Sequence, residues 1–461
     1  MEKIRILHTN DLHSHFENWP KIRRFIQERQ KALAGESVIT VDLGDFSDRW
    51  HPLTEASDGQ ANIALMNQVH YDAVTIGNNE GIGNAKAILN QLYNKADFDI
   101  VLANLFDKQT LQVPDWASSY KIITSPQGTK VGLIGITAPF PLTYTPNGWD
   151  IRQWMDILPE LVQQLRQQVD VIVLLSHLGI TDDYLIAKEV PEIDVILGSH
   201  THHLFASGER VNSTQLAAAG KFGYYVGEVT LSLDDDHHIL KTIAQTFSTT
   251  EMLELPEDNE EIFHYMEQGQ KLLAANKVAW LPQALTLNPY DDYSLVRETL
   301  TAVRKRGDTE VALLNTGLFL GELPEGLVNQ EQLHTILPHP MRLIRVTLLG
   351  RDIVRMVLEI EKNRMFLRNY PIVGMGFRGK IFGEIIYDGL TYDATNHTVL
   401  WEGKPLESEK NYAFTTVDHL MFVPFIPTIE IVGQHEFLFP EFIRTVLGEY
   451  LAQKYSLATL E

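Results

Sequence analysis

The chain has 461 residues, more than one hydrophobic core usually organises, and this length predicts two or three domains. Its 38 basic and 60 acidic side chains give a net charge of −22, which argues against general binding to nucleic acid or to anionic membranes. The sequence contains no cysteine, which excludes disulfides, thiolate metal ligands and a cysteine nucleophile.

In the first half of the chain, apolar runs of strand length alternate with stretches of helical periodicity. This pattern is typical of βαβ units in a layered α/β domain. The predicted strands are residues 4–7, 38–41, 73–76, 100–103, 131–136, 171–175 and 195–197. A closing strand is predicted at 224–233, and we expect this first domain to span residues 1–250.

An acidic segment that contains Pro256 follows, and a helix is predicted over residues 262–275. We therefore expect a linker and bridging helix at 251–276 and a second domain at 277–461. The predicted elements of this domain are helices at 295–303, 350–360 and 440–455 and strands at 311–314 and 382–392. This mixture of separate helices and strands favours an α+β domain.

Residue types that bind metal ions follow the apolar runs of the first domain in five blocks. The blocks read TNDLH at 9–13, GD at 44–45, GNNE at 77–80, SH at 176–177 and GSHTH at 198–202. The candidate ligands are Asp11, His13, Asp45, Asn78, His177, His200 and His202. Open α/β sheets place ligands at the carboxyl ends of their strands, so we expect these side chains to converge.

Carboxylate and imidazole ligands together suit Mn, Fe or Zn. Two such ions held about 3.5–4 Å apart activate a bridging hydroxide and neutralise charge on a phosphoryl group, so hydrolysis needs no protein nucleophile. A carboxylate such as Asp45 can bridge the two ions. A single Asp-x-His after a strand is more often a turn, but five blocks in order predict a two-metal, phosphoester-cleaving site.

On these blocks the chain resembles the calcineurin-like metallophosphoesterases, and specifically the two-domain 5′-nucleotidase family that includes UDP-sugar hydrolases and 2′,3′-cyclic phosphodiesterases. The resemblance implies a four-layer α/β/β/α domain followed by an α+β nucleotidase C-terminal domain. It also implies two divalent ions, Mn, Zn or Fe. One ion would be held by Asp11, His13 and His202, the other by Asn78, His177 and His200, with Asp45 between them.

One block departs from the family's GNH(E/D) motif, because Asn79 stands where the family has a histidine and Ile82 where it has an assisting aspartate. An asparagine can donate a hydrogen bond to a phosphoryl oxygen but cannot deliver a proton. We expect Asp45 and Asn79 to be the catalytic residues. Either catalysis is slow or selective for good leaving groups, or another group supplies the proton, with His15 and His203 as candidates.

The second domain resembles the family's C-terminal domain through Asn315-Thr316-Gly317, but Leu320 stands where the family has a substrate-binding arginine. Asn315, His339 and His419 are the candidate substrate-binding residues, because an amide can hydrogen-bond to a base and an imidazole can stack on one. Ordinary packing is an equally good interpretation of the two histidines.

The sequence thus predicts a metal-dependent phosphoesterase that acts on a small phosphorylated substrate. The leading substrates are a nucleoside monophosphate, as for a 5′-nucleotidase, and a 2′,3′-cyclic nucleotide. The alternative is a protein that binds or senses a phosphorylated ligand with weak or lost turnover. The N-terminus does not read as a secretion signal and no apolar run reaches the roughly 18 residues of a membrane span, so we expect a cytoplasmic protein without membrane or nucleic-acid partners.

Overall fold

The computed structural model describes residues 2–32, 36–372, 374 and 376–457. The chain divides into two compact units, Met1–Gly269 and Gln270–Glu461. The division falls inside a helix, Pro256–Ala274, which lies within the linker predicted at 251–276. Among the described residues, no helix combines the length and the apolar character that crossing a membrane requires.

The described part of the first unit contains two six-stranded sheets, with strand orders β14-β13-β1-β2-β3-β4 and β11-β12-β10-β9-β7-β6, and a two-stranded pair, β5-β8. The strands are β1 (Glu2–Thr9), β2 (Ser37–Asp42), β3 (Ala73–Val74), β4 (Asp99–Ile100), β5 (Leu105–Asp107), β6 (Tyr120–Thr124), β7 (Lys130–Thr137), β8 (Trp149–Ile151), β9 (Val171–His177), β10 (Val195–Gly198), β11 (Glu209–Val211), β12 (Thr214–Ala217), β13 (Tyr225–Leu233) and β14 (Ile239–Ser248). The helices are α1 (Trp19–Ala32), α2 (Pro52–Ala56), α3 (Gln60–Met66), α4 (Asn78–Gly81), α5 (Lys86–Leu92), α6 (Pro141–Tyr144), α7 (Leu158–Arg166), α8 (Ile180–Glu189) and α9 (Pro256–Ala274).

Alternation of side chains along the strands builds four layers in this unit. In β1, Ile4 and Ile6 pack against residues of the second sheet such as Val171, whereas Leu7 packs with Ile22 of α1 on the outer face. The second sheet repeats the arrangement, since its other face is covered by residues of α7 and α8. Strands buried on both faces read as continuous apolar runs, which is why their sequences were recognisable. The α/β/β/α prediction is confirmed.

The second unit is built around a five-stranded sheet with the order β19-β16-β23-β18-β24 among its described residues. Its strands are β15 (Lys277–Leu281), β16 (Val311–Asn315), β17 (Gly326–Asn329), β18 (Arg342–Leu349), β19 (Ile385–Asp388), β20 (Leu390–Asp393), β21 (Thr398–Trp401), β22 (Lys404–Pro405), β23 (Asn411–Val417) and β24 (Gln434–Phe442). Its helices are α10 (Ser294–Gly307), α11 (Gln330–Ile336), α12 (Gly350–Leu367), α13 (Pro427–Val432) and α14 (Ile443–Lys454). Short 3-10 turns lie at Phe16–Asn18, Asn67–Val69, Trp154–Asp156, Thr249–Glu251, Pro289–Asp291, Thr316–Leu318 and Asp418–Phe422.

The final helix begins later than predicted. Pro440 and its neighbours belong to β24, which pairs antiparallel with β18 at the edge of the sheet, and helix α14 starts only at Ile443. An edge strand tolerates proline because one row of its N–H groups is not needed for pairing. Residues 437–442 therefore belong to a strand. The helix was predicted to start at Pro440 because proline near the start of an apolar stretch also suits the first turn of a helix.

Candidate metal centre

The predicted ligands lie at or just after the carboxyl ends of parallel strands in the first unit. Asp11 follows β1, Asp45 follows β2, His177 is the last residue of β9, and His200 follows β10. Because β1 and β2 are parallel, and β9 and β10 are parallel, each sheet presents these ends at one edge. The two facing sheets thus bring five separated sequence blocks into one place, as expected for this class of fold.

Five of the predicted ligands have a left-handed backbone, which L-residues adopt uncommonly. They are Asp11 (φ 49°), His13 (φ 51°), Asp45 (φ 52°), His200 (φ 71°) and His202 (φ 60°). Gly44 is also left-handed, and a Cβ there would lie 2.2 Å from the Gly77 nitrogen, so position 44 has no space for a side chain. Backbone strain of this kind concentrates at functional sites, where the surrounding fold holds it.

The first of two candidate metal-binding groups among the described residues contains Asp11, His13 and His202, whose ligand atoms lie within 4.8 Å of one another. Nε2 of His13 is 3.1 Å from Nε2 of His202 and 3.7 Å from Oδ1 of Asp11. The distance from His202 Nε2 to Asp11 Oδ1 is 3.6 Å. One carboxylate oxygen and two imidazole nitrogens therefore face a common point.

The second group contains Asp45, His177 and His200. Oδ2 of Asp45 lies 3.4 Å from His177 Nε2 and 3.7 Å from His13 Nε2, so this carboxylate stands between the two groups. His177 donates its Nδ1–H to the Leu43 carbonyl at 2.7 Å. That hydrogen bond orients the ring and leaves Nε2 to face the group, the arrangement typical of a histidine that binds a metal.

Buried polar atoms indicate that the residues of this centre fit bound cations. Asn78 Oδ1 and His177 Nε2 are buried, and neither has a hydrogen-bond partner among the residues that the structure describes. Buried polar atoms are rarely left unpaired in folded proteins, because each costs desolvation free energy. The Asn78 oxygen offers a lone pair to a divalent ion, and His177 Nε2 offers one once its proton has left. The carboxylate and imidazole donors suit Mn, Zn or Fe.

The electrostatics of the centre also favour cations. Burial by itself lowers the pKa of His177, but Asp45 and Asp11 raise it to about 10, so an imidazolium compensates the two carboxylates. Burial lowers the pKa of His200 to about 4 and that of His202 to about 3. These two rings are therefore neutral near pH 7, the form in which imidazole binds a metal ion.

Comparisons with known proteins agree with this geometry. The family model of calcineurin-like phosphoesterases matches residues 4–204, and that of the 5′-nucleotidase C-terminal domain matches residues 286–422. YunD of Bacillus subtilis (strain 168), an uncharacterized metallophosphoesterase, is 35% identical over 98% of this chain and 100% of its own length. The chain belongs to the calcineurin-like phosphoesterase family, in its two-domain form with a 5′-nucleotidase C-terminal domain.

Two further relatives extend the comparison. The snake venom 5′-nucleotidase of Crotalus adamanteus is 27% identical over 52% of this chain and 47% of that protein. The solved structure of the NAD nucleotidase of Haemophilus influenzae has a TM-score of 0.65 and 15% identity, and the match covers 98% of this chain and 96% of that one. The second match shows a shared fold. The protein is a metal-dependent phosphoesterase, and members of its family use divalent metal ions.

Glu80 holds the loops of this calcineurin-like centre together, a role that the motif alone did not suggest. Its carboxylate accepts hydrogen bonds from the backbone N–H groups of Asp45 (2.9 Å), Ser47 (2.8 Å) and Gly77 (2.9 Å), and from the Ser47 hydroxyl (2.8 Å). One buried side chain thereby ties the loop after β2 to the turn that precedes Asn78. The four donors stabilise the ionised carboxylate, which burial otherwise disfavours.

Asn79, in the place of the family's histidine, contacts both metal groups. Its backbone N–H donates to Asp45 Oδ1 at 2.7 Å, and its side-chain amide lies 2.8 Å from His13 Nδ1. The two candidate proton donors have other neighbours. His15 is 2.9 Å from Glu17, and its ring packs against Phe222 with 3.9 Å between ring centres. The exposed His203 is 2.9 Å from the Thr201 hydroxyl.

An aromatic rim beside the centre also escaped the sequence reasoning. The Phe222 ring centre lies 5.8 Å from that of His13 and 6.2 Å from that of His202, and Trp50 donates its Nε1–H to the His13 carbonyl at 2.7 Å. The Lys221 ammonium lies 4.6 Å from the Phe222 ring centre, which brings a positive charge to this rim. These residues lie outside the five blocks, so their spacing gave no signal.

The three predicted substrate residues lie together in the second unit and are fully buried. The Phe377 ring lies between two imidazoles, 5.2 Å from His339 with 4° between the planes and 5.1 Å from His419 with 19°. Asn315 donates to the Phe382 carbonyl at 2.7 Å, and His339 accepts from the Arg378 N–H at 2.9 Å. The chain's own aromatic ring therefore occupies the space between the two histidines.

Proposed function

We propose that the protein is a dinuclear-metal hydrolase of small phosphate esters, with a 5′-nucleotide or a 2′,3′-cyclic nucleotide as the leading substrate. The observation that carries the proposal is the pair of ligand groups with Asp45 between them, since this arrangement suits two cations a short distance apart. Proteins of the 5′-nucleotidase family act on nucleotides, which supports the substrate class.

The proposed roles follow the two groups. Asp11, His13 and His202 would hold one ion, and Asn78, His177 and His200 the other, with Asp45 shared. When bound, two such ions supply an activated water and neutralise the charge that develops on the phosphoryl oxygens. The chain's own contribution is to fix the ligands, as the Leu43 carbonyl does for His177 and Asn10 does for Asp11.

Asp45 and Asn79 are the proposed catalytic residues. The amide nitrogen of Asn79 has two hydrogens, so it can donate a hydrogen bond to a phosphoryl oxygen. An amide cannot protonate the leaving group, and loss of such help costs about 10²–10⁴ in rate. Esters with good leaving groups should therefore be hydrolysed fastest.

In the second unit, Asn315, His339 and His419 are the proposed contacts for the organic part of the substrate. Their burial sets a condition on this role, because a planar ligand can reach the space between the histidines only after Phe377 leaves it. Displacing a stacked aromatic ring costs binding free energy. We therefore expect modest discrimination between nucleotides that differ in their base.

The test is phosphate release by the Mn-loaded protein across nucleoside monophosphates, 2′,3′-cyclic nucleotides and aryl phosphates, with the Asp45→Asn variant as the matched control. We expect the wild type to release phosphate and the Asp45→Asn variant to release no more than buffer that contains Mn. Turnover of aryl phosphates alone would contradict the nucleotide assignment and leave the metal centre standing. No turnover of any ester would favour the second candidate, a protein that binds a phosphorylated ligand without hydrolysing it, which the absence of a histidine at position 79 favours.

A further inference from the structure

Three neighbouring side chains connect the two metal groups. Asn78 Nδ2 donates to Asn79 Oδ1 at 3.2 Å, and the Asn79 amide nitrogen lies 2.8 Å from Nδ1 of His13. Asn78 is a proposed ligand of one ion and His13 of the other. The hydrogen bonds therefore run without interruption from one proposed ion site to the next, through Asn79.

The direction of these hydrogen bonds determines which ligand atoms are available. An amide accepts through its oxygen and donates through its nitrogen, and a neutral imidazole carries its single hydrogen on one of two nitrogens. When Asn78 keeps its oxygen for an ion, its nitrogen donates to Asn79, and Asn79 donates in turn to Nδ1 of His13. The hydrogen of His13 then sits on Nε2, the atom that faces Asp11, and Nε2 cannot bind a metal ion.

The reverse direction has the opposite effect. When Nε2 of His13 binds an ion, its hydrogen sits on Nδ1 and donates to the oxygen of a turned Asn79 amide. The nitrogen of Asn79 then faces Asn78, whose oxygen must accept from it, and this draws the oxygen away from the second ion. Each direction therefore prepares one group and weakens a ligand of the other.

Asp48 offers His13 a second acceptor, which lies farther away. Its Oδ2 lies 3.5 Å from His13 Nδ1, at the outer limit for a hydrogen bond, and the Asn79 amide is closer at 2.8 Å. The other oxygen of Asp48 accepts from the Trp50 N–H at 3.2 Å. His13 would have to shift towards Asp48 to escape the influence of Asn79.

We propose that Asn79 is a positioning residue that makes the two metal groups bind their ions with negative cooperativity. The proposal rests on the two-ion assignment of the proposed function. Occupation of one group sets the direction of hydrogen bonding from Asn78 to His13, and that direction removes a ligand atom from the other group. The first ion then binds tightly, and the second binds only at a higher metal concentration.

The experiment is a calorimetric titration of the full-length, chelator-treated protein with Mn²⁺, with the bound ions counted by mass spectrometry after gel filtration. Partners that orient a metal ligand are typically worth 10–100-fold in affinity, so we expect the two dissociation constants of the wild type to differ by about that factor. Two constants within about threefold of each other would overturn the proposal.

Two variants separate this coupling from simple repulsion between the ions, which Asn79→Ala leaves unchanged. In Asn79→Asp, one carboxylate accepts from both Asn78 and His13, so both ligands become available together. Asn79→Ala removes the connection without adding charge. We expect the ratio of the two constants to fall by at least about tenfold in both variants. An unchanged ratio in Asn79→Ala would overturn the proposal even if Asn79→Asp strengthened binding, because added charge alone would then explain the gain.

The outcomes also separate this proposal from the proposed function. If the wild type releases phosphate and the ratio of dissociation constants is unchanged in Asn79→Ala, the hydrolase assignment stands and the coupling is refuted. If the ratio is reduced in Asn79→Ala but the wild type releases no phosphate, the coupling stands and the hydrolase assignment is refuted. Circular dichroism of each metal-free variant shows whether it is folded, and the ratio in Asn79→Asp decides the matter if Asn79→Ala does not fold: an unchanged ratio there overturns the proposal.

Discussion

The Glu80→Gln substitution tests whether one buried carboxylate organises the metal-binding loops. Glu80 accepts four hydrogen bonds, and the two donors from Asp45 and Gly77 share one oxygen while the two from Ser47 share the other. A glutamine oxygen can keep the Asp45 and Gly77 pair. Its nitrogen then faces Ser47, whose hydroxyl can turn to accept but whose backbone N–H cannot.

The magnitude follows from these contacts. A buried N–H left without a partner costs about 1–3 kcal/mol. The two retained bonds lose the assistance of a charge, about 0.5–1 kcal/mol each. Burial and the nearby charge of Asp45 raise the pKa of Glu80, so removing the carboxylate also relieves a desolvation cost. We expect a net loss of about 1–3 kcal/mol in the free energy of unfolding.

The assay is urea unfolding in the presence of chelator, followed by circular dichroism, with Mn stoichiometry measured on the same preparations. Glu189→Gln, which changes an exposed glutamate at the end of α8, is the matched control and should lie within about 0.5 kcal/mol of the wild type. We also expect Glu80→Gln to bind Mn more weakly, because the loops that present Asp45 and Asn78 lose their common tie. Wild-type stability and wild-type Mn binding together would refute the reasoning.

Two further substitutions test other parts of the chain. Burial raises the pKa of Asp183 to about 7, above the value of about 3.9 of an unfolded chain, so between these pH values the folded state binds the proton more tightly and wild-type stability falls as pH rises. As pH rises through this range, the free energy of unfolding of Asp183→Asn should increase relative to that of the wild type by up to about 1.4 kcal/mol per pH unit. Urea unfolding that gives the same difference between variant and wild type at pH 5 and at pH 8 would contradict this. Phe377→Ala should empty the space between His339 and His419 and lower the KM for adenosine monophosphate relative to ribose 5-phosphate; steady-state kinetics that show an equal change for both substrates would argue against a role for these histidines in base recognition.

The layers of the first unit were predictable because their strands are buried on both faces. Runs such as 171–175 are continuously apolar, and a strand buried on one side only would have alternated with polar residues. The end of the chain was harder, since residues 437–442 combine apolar side chains with Pro440, a pattern that suits both an edge strand and the start of a helix. Pairing of β24 with β18 decides between them, and that contact is not local in sequence.

The convergence of the ligand residues was predictable from position, because each follows a strand end. What the sequence could not supply is the set of residues that orient them. Glu80 lies inside a recognised block, yet its hydrogen bonds to Ser47 depend on how the loop after β2 folds back. Phe222 and Trp50 reach the centre from loops without any ligand spacing, so only the tertiary structure places them there.

The metal-free centre combines several features that are unfavourable in a folded protein and that bound cations would relieve. Asp11 and Asp45 are both buried, and their charges are compensated by an imidazolium on His177 that a cation would replace. Asn78 Oδ1 is buried and has no hydrogen-bond partner in the described part of the chain, and five ligands have a strained left-handed backbone. Each feature costs free energy in the folded, metal-free state and little in the unfolded chain, which neither buries these groups nor fixes the strained backbone. The rest of the fold therefore holds the ligands in positions that cost free energy while no ion is bound. Because ions would bind the folded state, their binding should raise the free energy of unfolding of the first unit.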